Sequence, residues 1–101
     1  MIEKLRVYLK NKGLSTSEIE IVLLIYQGHT NEEIAEIRFI SIQTVKYHTS
    51  HIYKKLKLKN RIAIFNFCLH YILPELFREK LSTPEKFESL IKQLELPIGL
   101  R

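Results

Sequence analysis

The chain has 101 residues, of which 46% are apolar, and a formal net charge of +5 at pH 7. This length predicts one domain over residues 1–101, and the apolar content suffices for a modest core. A single cysteine, Cys68, excludes an internal disulfide and is typical of a cytoplasmic protein. The longest apolar segment, residues 62–73, is shorter than the roughly 20 residues that a membrane span needs, so we expect no membrane contact.

The first predicted element is an N-terminal amphipathic helix over residues 1–13. Ile2, Leu5 and Leu9 share one face of this helix, and Gly13 is typical of a residue that ends one. Glycine and proline occur only three times each, and runs of β-branched residues are few. The rest of the chain is therefore predicted to be mostly helical as well.

Two capping boxes predict where the next two helices begin. In a capping box, a hydroxyl accepts from the backbone N–H three residues on, while the glutamate at that position reaches back. Ser15 can pair in this way with Glu18, and Thr30 can pair with Glu33. An apolar helix therefore follows Ser15 and ends at Gly28, and a short helix follows Thr30.

Four further helices are predicted in the rest of the chain. Ser41 can cap a helix that runs to about Lys57, and Asn60 can cap another over residues 62–73. Pro74 suits the first turn of a new helix. Proline lacks a backbone N–H, and the N–H groups of the first turn have no partner within the helix. The last helix follows the sequence STPE and carries apolar residues at helical spacing, namely Phe87, Leu90, Ile91 and Leu94.

Positive charge is concentrated in the middle of the chain. No acidic residue lies between Glu36 and Glu75, and seven of the 16 basic residues lie there: Arg38, Lys46, Lys54, Lys55, Lys57, Lys59 and Arg61. The remainder of the chain is slightly acidic. Such an uneven distribution of charge is typical of proteins that bind polyanions. A solvated lysine face is the ordinary alternative for a run of charges.

A helix over residues 42–57 would separate this charge from an apolar stripe. At about 100° per residue, the core-facing stripe consists of Ile42, Val45, Thr49, Ile52 and Leu56. The opposite face presents Gln43, Lys46, Tyr47, Ser50, Lys54 and Lys57, and one flank presents Thr44, His51 and Lys55. Cations, amides and hydroxyls without a carboxylate suit the major groove of DNA, where they contact base edges and phosphates.

The short helix over residues 31–38 precedes this cationic helix, and a tight turn over Phe39–Ser41 joins the two. Ala35 is small enough to let the two helices cross closely. Helix, tight turn and cationic helix together form a helix-turn-helix arrangement. We therefore predict an all-α fold with a four-helix, helix-turn-helix core over residues 14–73, the N-terminal helix, and a C-terminal helical extension over residues 74–101.

Residues 14 to about 70 resemble the LuxR-type (GerE-type) helix-turn-helix domain of bacterial transcription regulators. The resemblance rests on LSTSEIEIVLLIYQG, TNEEIAE, IS, TVKYH and IYKKLKLKNR, which follow one another without detectable gaps. Thr16 stands where many members have proline, and Lys57 where many have glycine, which adds a cation that would strengthen contacts to a DNA backbone. The resemblance implies a transcription regulator that binds double-stranded DNA sequence-specifically in the bacterial nucleoid.

The resemblance also implies roles for individual side chains. Base-facing positions are occupied by Lys46, Tyr47 and Ser50. Phosphate-facing positions are occupied by Thr44, Lys54 and Lys55. Thr30 and Asn31 begin the helix whose N-terminus is similar to those that abut a phosphate. The full set predicted to bind DNA is Thr30, Asn31, Gln43, Thr44, Lys46, Tyr47, Ser50, Lys54, Lys55, Lys57 and Arg61.

The helix over residues 62–73 is apolar nearly all the way round, although a surface helix of a small domain buries only one face in its own core. The terminal helices would cover part of the remaining surface. A homodimer through this helix, the C-terminal helices or both would cover the rest. A twofold dimer would also place two recognition helices on adjacent half-sites of DNA.

The sequence offers little support for catalysis or metal binding. No set of nucleophile, base and orienting residue can be assembled, so we expect neither an enzyme nor a cofactor. His48 and His51 could form half of a metal site, but no cysteine or carboxylate lies near them in sequence. Cys68 and His70 would point to different faces of a helix. The alternative to a DNA-binding regulator is a protein-interaction module that binds another regulator or RNA polymerase.

Overall fold

The computed structural model describes residues 2–78 and Lys92. Within this part of the chain the protein is entirely helical, without strands, which confirms the predicted all-α fold. The helices are α1 (Ile2–Asn11), α2 (Thr16–Tyr26), α3 (Asn31–Arg38), α4 (Ile42–Leu56) and α5 (Arg61–Arg78). The predicted helix that follows STPE lies outside the described residues.

The two predicted capping boxes are confirmed. The Glu18 backbone N–H donates to Ser15 Oγ at 3.2 Å, and the Ser15 N–H donates to Glu18 Oε1 at 2.8 Å. Thr30 and Glu33 form the same pair of bonds, at 3.2 Å and 2.8 Å. Each box satisfies two N–H groups that the helix itself leaves without a partner, so the starts of α2 and α3 are determined locally.

Side-chain caps also begin α4 and α5. Ser41 Oγ accepts from the backbone N–H of Thr44 at 3.0 Å, and Asn60 Oδ1 accepts from the N–H of Ala63 at 2.9 Å. Both caps had been predicted from the type of residue at these positions. The start of the cationic helix is therefore specified by the sequence immediately before it.

The first four helices all end in the same left-handed backbone motif. The residues with positive φ are Gly13 (93°), Gly28 (92°), Phe39 (57°) and Lys57 (56°). In each case the next backbone N–H returns to the carbonyl five residues earlier, in the pairs Leu14 to Leu9, His29 to Leu24, Ile40 to Ala35 and Leu58 to Tyr53. Glycine adopts this conformation freely, whereas the Cβ atoms of the other two residues strain it.

α2 lies at the centre of the fold and packs against α1, α4 and α5. Its buried residues are Glu18, Ile19, Ile21, Val22, Leu23, Ile25 and Tyr26. A helix that is apolar on nearly all sides needs cover on several of them. α3 packs against α4, with Ala35 buried as expected for a close crossing. The cationic helix α4 is thus held by both α2 and α3.

The core stripe of α4 is confirmed except at its first residue. Val45, Thr49, Ile52 and Leu56 are buried, and the Thr49 hydroxyl donates to the Val45 carbonyl at 2.6 Å. Ile42 was expected in this stripe but is 38% exposed. The reason is angular, because at about 100° per residue Ile42 lies at the edge of the arc that the other four residues occupy.

The predicted helix break at Pro74 is wrong. α5 continues through Pro74 to Arg78. Proline removes one helical hydrogen bond and crowds the preceding turn, but Ile64, Cys68 and Ile72 form a buried stripe at helical spacing that anchors the helix up to this point. A division of the chain at residue 74 therefore does not coincide with a helix end.

Neither α5 nor any other helix in the described part of the chain has the length and apolarity that a membrane crossing requires.

Candidate nucleic-acid interface

One face of α4 carries most of the predicted DNA-binding residues, and all six that were placed opposite the core are exposed. They are Gln43, Lys46, Tyr47, Ser50, Lys54 and Lys57, the residue that caps the C-terminal end of α4. The sequence of α4 contains no carboxylate. The face therefore combines three cations with amide, hydroxyl and phenol groups, and no negative charge in the helix offsets them.

An aromatic cluster occupies the middle of this face. The Tyr47 ring lies edge-on to His51, with 4.6 Å between ring centroids, and edge-on to His48 at 5.6 Å. Tyr47 remains 61% exposed, whereas His48 is half-buried. The Ser50 hydroxyl donates to the Tyr47 carbonyl at 2.8 Å. Ser50 thus presents its oxygen lone pairs outward as hydrogen-bond acceptors.

Lys55, predicted to contact phosphate, has a partner within the protein. Its Nζ lies 2.7 Å from Glu18 Oε1, and the Glu18 side chain is only 6% exposed. Burial alone would raise the pKa of Glu18, but hydrogen bonds from Lys55 and from the Ser15 backbone, together with the Lys55 charge, hold this pKa below its ordinary value. The contact ties the last turn of α4 to the first turn of α2.

Arg61 and Asn31 were also predicted to bind DNA, and the structure joins them to each other. The Arg61 guanidinium donates to Asn31 Oδ1 at 2.8 Å and to the backbone carbonyl of His29. These bonds tie the start of α5 to the start of α3. Two exposed carboxylates, Glu32 and Glu33, lie in the first turn of α3. They reduce the positive potential that a helix N-terminus otherwise offers to a phosphate.

The hydroxyls of Thr30 and Thr44 take part in helix caps. Thr30 Oγ1 accepts the N–H of Glu33 in the α3 capping box. Thr44 Oγ1 lies 2.9 Å from Ser41 Oγ at the start of α4. Both side chains therefore stabilise helix starts, and each hydroxyl retains capacity for two further hydrogen bonds.

Cys68 and His70 lie on α5, apart from this face. Cys68 is buried, which raises the pKa of its thiol to about 12, while His70 is exposed, so the two point to different sides of α5. A thiol with such a pKa is unreactive at neutral pH. Among the residues that the structure describes, no three histidine, cysteine or acidic side chains are placed to hold a metal ion.

The comparison with known families decides what this helix-turn-helix is. Residues 12–67 match the family described as bacterial regulatory proteins, luxR family. The chain belongs to the LuxR family. The matched segment contains α2, α3 and α4 together with the beginning of α5, so the LuxR-type resemblance of the sequence is confirmed. LuxR domains of this type are DNA-binding modules of transcription regulators.

Two curated relatives carry the same LuxR-type segment. The Oxygen regulatory protein NreC of Staphylococcus carnosus (strain TM300) is 45% identical over 56 residues, which cover 55% of this chain and 26% of the relative. The protein of the same name from Staphylococcus aureus (strain JH9) is 45% identical over 58 residues, which cover 57% of this chain and 27% of the relative. The chain thus matches these relatives over about a quarter of their length.

Sequence reasoning missed three features of the LuxR domain. The Lys55 to Glu18 and Arg61 to Asn31 contacts join residues 37 and 30 positions apart, and no local pattern indicates such pairs. The exposure of Phe39, at 93%, was also missed. No local signal indicated it, because the residue that ends a helix in the left-handed conformation is usually glycine and this position is occupied by phenylalanine.

Proposed function

We propose that the chain binds double-stranded DNA sequence-specifically as a transcription regulator, with α4 in the major groove. The observation that carries this proposal is the exposed, carboxylate-free face of α4, opposite a stripe buried against α2 and α3. Membership of the LuxR family supports it. A helix presented in this way fits the width of the groove, and its cations neutralise the phosphates on either side.

Within this proposal, base readout falls to Lys46, Tyr47 and Ser50, with Gln43 beside them at the start of α4. Lysine can donate to guanine O6 and N7, and a glutamine amide can pair with adenine. The Ser50 oxygen can accept from an amino group of cytosine or adenine. Tyr47 offers both a phenol and an apolar ring edge. The LuxR-type resemblance implies the roles of Lys46, Tyr47 and Ser50, and the exposure of all four side chains supports the assignment.

Phosphate contacts fall mainly to Lys54 and Lys57, at the C-terminal end of α4. Lys55, Arg61 and Asn31 act chiefly through the contacts that hold α2, α3, α4 and α5 together, because each has a partner inside the protein. The proposal therefore separates residues that touch DNA from residues that position the helix.

A homodimer through α5 forms part of the proposal. α1 covers one region of α5, where Tyr8 stacks on Phe67 and Tyr71 with centroid distances of 5.7 Å and 4.2 Å. Ile62, in the first turn of α5, is 72% exposed. A second chain on this helix would bury Ile62 and place two α4 helices on a twofold DNA site.

The test is DNA binding as a function of salt. Duplexes that the chain selects from random DNA are titrated at salt concentrations between about 50 and 200 mM. Affinity should fall steeply, and Lys46→Ala and Ser50→Ala should each weaken binding by about 1–3 kcal/mol. Lys10→Ala, which removes an exposed lysine from α1, is the matched control and should bind like the parent.

Two outcomes would contradict the proposal. If Lys46→Ala bound the selected site as tightly as the parent, α4 would not dock as described. If no DNA were selected, and a protein partner bound with little salt dependence, the alternative of a protein-interaction module would be favoured.

A further inference from the structure

Phe39 combines high exposure with a strained backbone. It ends α3 at φ 57°, and its side chain is 93% exposed. α1 and α2 end in the same motif with Gly13 and Gly28. Because an exposed ring adds little to the core while its Cβ strains the backbone, glycine would suit the fold better at this position. Within the part of the chain that the structure describes, the ring therefore adds little to stability and is available to contact a partner.

Two further apolar side chains are exposed around the same turn. Ile37 is 46% exposed near the end of α3, and Ile42 is 38% exposed as the first residue of α4. We refer to Ile37, Phe39 and Ile42 as the turn patch. Ile42 lies four residues before Lys46, so the two share one side of α4. The turn patch therefore continues directly into the proposed DNA-binding face.

The charges around the turn patch indicate a polyanion as its occupant. Arg38 and Lys46 are exposed beside it, and Glu36, also exposed, marks the edge of the acid-free region. A second copy of the chain packed on this patch by a twofold axis would bring these cations against their own copies. Three side chains are also few for a protein interface, which commonly buries about 800 Å² on each partner.

DNA is a polyanion that also offers small apolar groups to a protein. Each thymine presents a C5-methyl group in the major groove, and apolar side chains contact it there. In helix-turn-helix proteins the N-terminal part of the recognition helix approaches the base edges. Ile42 and Phe39 stand at that end of α4, where a methyl group in the groove would meet an apolar surface.

We propose that Phe39 and Ile42 contact thymine methyl groups and so determine part of the base sequence that the chain recognises. This inference rests on the proposed function and adds two residues that the chemistry of the polar face does not include. It assigns the polar face of α4 to hydrogen-bonded readout and phosphate contact, and the turn patch to apolar readout.

The test removes the methyl groups one at a time. In a duplex that the parent chain has selected from random DNA, each thymine is replaced in turn by deoxyuridine, which lacks the C5-methyl group. At one or two positions the parent should lose affinity about fourfold, the equivalent of one buried methyl group at about 0.8 kcal/mol. Phe39→Gly or Ile42→Ala should bind the unmodified duplex more weakly and should no longer distinguish thymine from deoxyuridine at those positions.

Phe39→Gly relieves backbone strain, so it should raise the melting temperature while weakening DNA binding. Weaker binding by this variant therefore would not result from unfolding. Val7→Ala is the matched control, since Val7 is 59% exposed on α1. It should keep the full response to deoxyuridine.

The outcomes also separate this inference from the proposed function. Selected sites without thymine, or a Phe39→Gly variant with unchanged affinity and methyl response, would overturn the inference while DNA binding itself stood. If the chain selected no DNA, the proposed function and this inference would fail together. If Phe39→Gly lost the binding of a protein partner but kept the methyl response, the turn patch would be a protein-docking surface and the inference would be wrong.

Discussion

Lys55 Nζ lies 2.7 Å from Glu18 Oε1, and this pair joins the end of α4 to the beginning of α2. Glu18 also accepts the Ser15 backbone N–H at 2.8 Å. One nearly buried carboxylate therefore caps α2 and anchors α4.

Adjacent lysines on α4 should respond differently to alanine. Lys55→Ala leaves the Glu18 carboxylate without its charged partner, so the free energy of unfolding should fall by about 1–2 kcal/mol. Lys54 is exposed on the proposed interface, and Lys54→Ala should change stability by less than about 0.5 kcal/mol. Urea unfolding and DNA titration in salt would compare the two variants.

In DNA binding, by contrast, Lys54→Ala should have a larger effect than Lys55→Ala. Lys54→Ala should reduce the slope of log affinity against log salt by about 0.9, the value of one phosphate contact. An equal loss of slope in Lys55→Ala, with unchanged stability, would mean that Lys55 binds phosphate instead of holding the fold.

Acid should weaken the domain through Glu18. The pKa of Glu18 is lower in the folded protein than its ordinary value of 4.5. Its stabilising effect is therefore fully present above pH 4.5 and is lost as the pH falls below that value toward the folded pKa. Glu18→Gln should lower stability at pH 7 and flatten the decline in stability below pH 4.5, as measured by urea unfolding at each pH.

A double variant provides the control for this effect. If the two side chains act as one pair, Lys55→Ala should cost little further stability in a Glu18→Gln background. The hydrogen bond from the Thr30 backbone lowers the pKa of Glu33 as well, so part of the pH dependence should remain. An unchanged pH profile in Glu18→Gln would show that Glu18 contributes nothing to acid sensitivity.

Lys57→Gly should improve folding and impair DNA binding. Lys57 ends α4 at φ 56°, a conformation that costs a non-glycine residue about 1 kcal/mol or more. Glycine should therefore raise the free energy of unfolding by about 1 kcal/mol. If Lys57 contacts a phosphate as proposed, the salt dependence of DNA binding should also weaken. If the variant were more stable but kept the parent's slope of log affinity against log salt, Lys57 would not contact a phosphate.

A charge in the core stripe of α4 should be far more disruptive than a charge at its edge. Val45 is completely buried, so Val45→Asp should abolish the cooperative thermal transition or cost more than about 4 kcal/mol. Ile42→Asp is the matched control, because Ile42 is 38% exposed, and it should remain folded by circular dichroism. Equal behaviour of the two variants would mean that α4 is rotated relative to this description.

Assembly through α5 can be measured directly by equilibrium sedimentation at micromolar protein concentration. The parent should show a mass near twice 12.0 kDa, or should form, with DNA added, a complex that contains two copies of the chain per duplex. Ile62→Lys places a charge in the proposed contact and should shift the equilibrium to the monomer. Val7→Lys on α1 introduces the same charge away from that contact and is the control. A parent mass near 12.0 kDa without DNA, together with one copy per duplex in its presence, would rule out the dimer.

Local signals in the sequence predicted most of the helical framework. The hydroxyl and amide caps at Ser15, Thr30, Ser41 and Asn60 were all found as expected. Such caps are predictable because donor and acceptor lie within three residues of each other, so the chain needs no tertiary partner to form them. The break expected at Pro74 did not occur, since α5 continues to Arg78 although proline removes one of its helical hydrogen bonds.

The candidate interface was predictable to a similar degree. Helical periodicity alone placed Lys46, Tyr47 and Ser50 on the exposed face of α4, and they are exposed. Their contact with DNA stays a prediction. Periodicity could not indicate that Lys55 and Arg61, although basic and in the same segment, would be engaged within the protein.

The sequence by itself determined the helical framework, the concentration of charge and the two faces of α4, because periodicity and capping act within a few residues. Only the tertiary structure decided which cations remain available to a partner and which apolar side chains remain exposed to solvent. Those outcomes depend on residues 30 or more positions apart, such as Glu18 with Lys55 and Asn31 with Arg61, meeting in space. The same packing leaves Phe39 exposed at the turn before α4, with its backbone in the left-handed conformation.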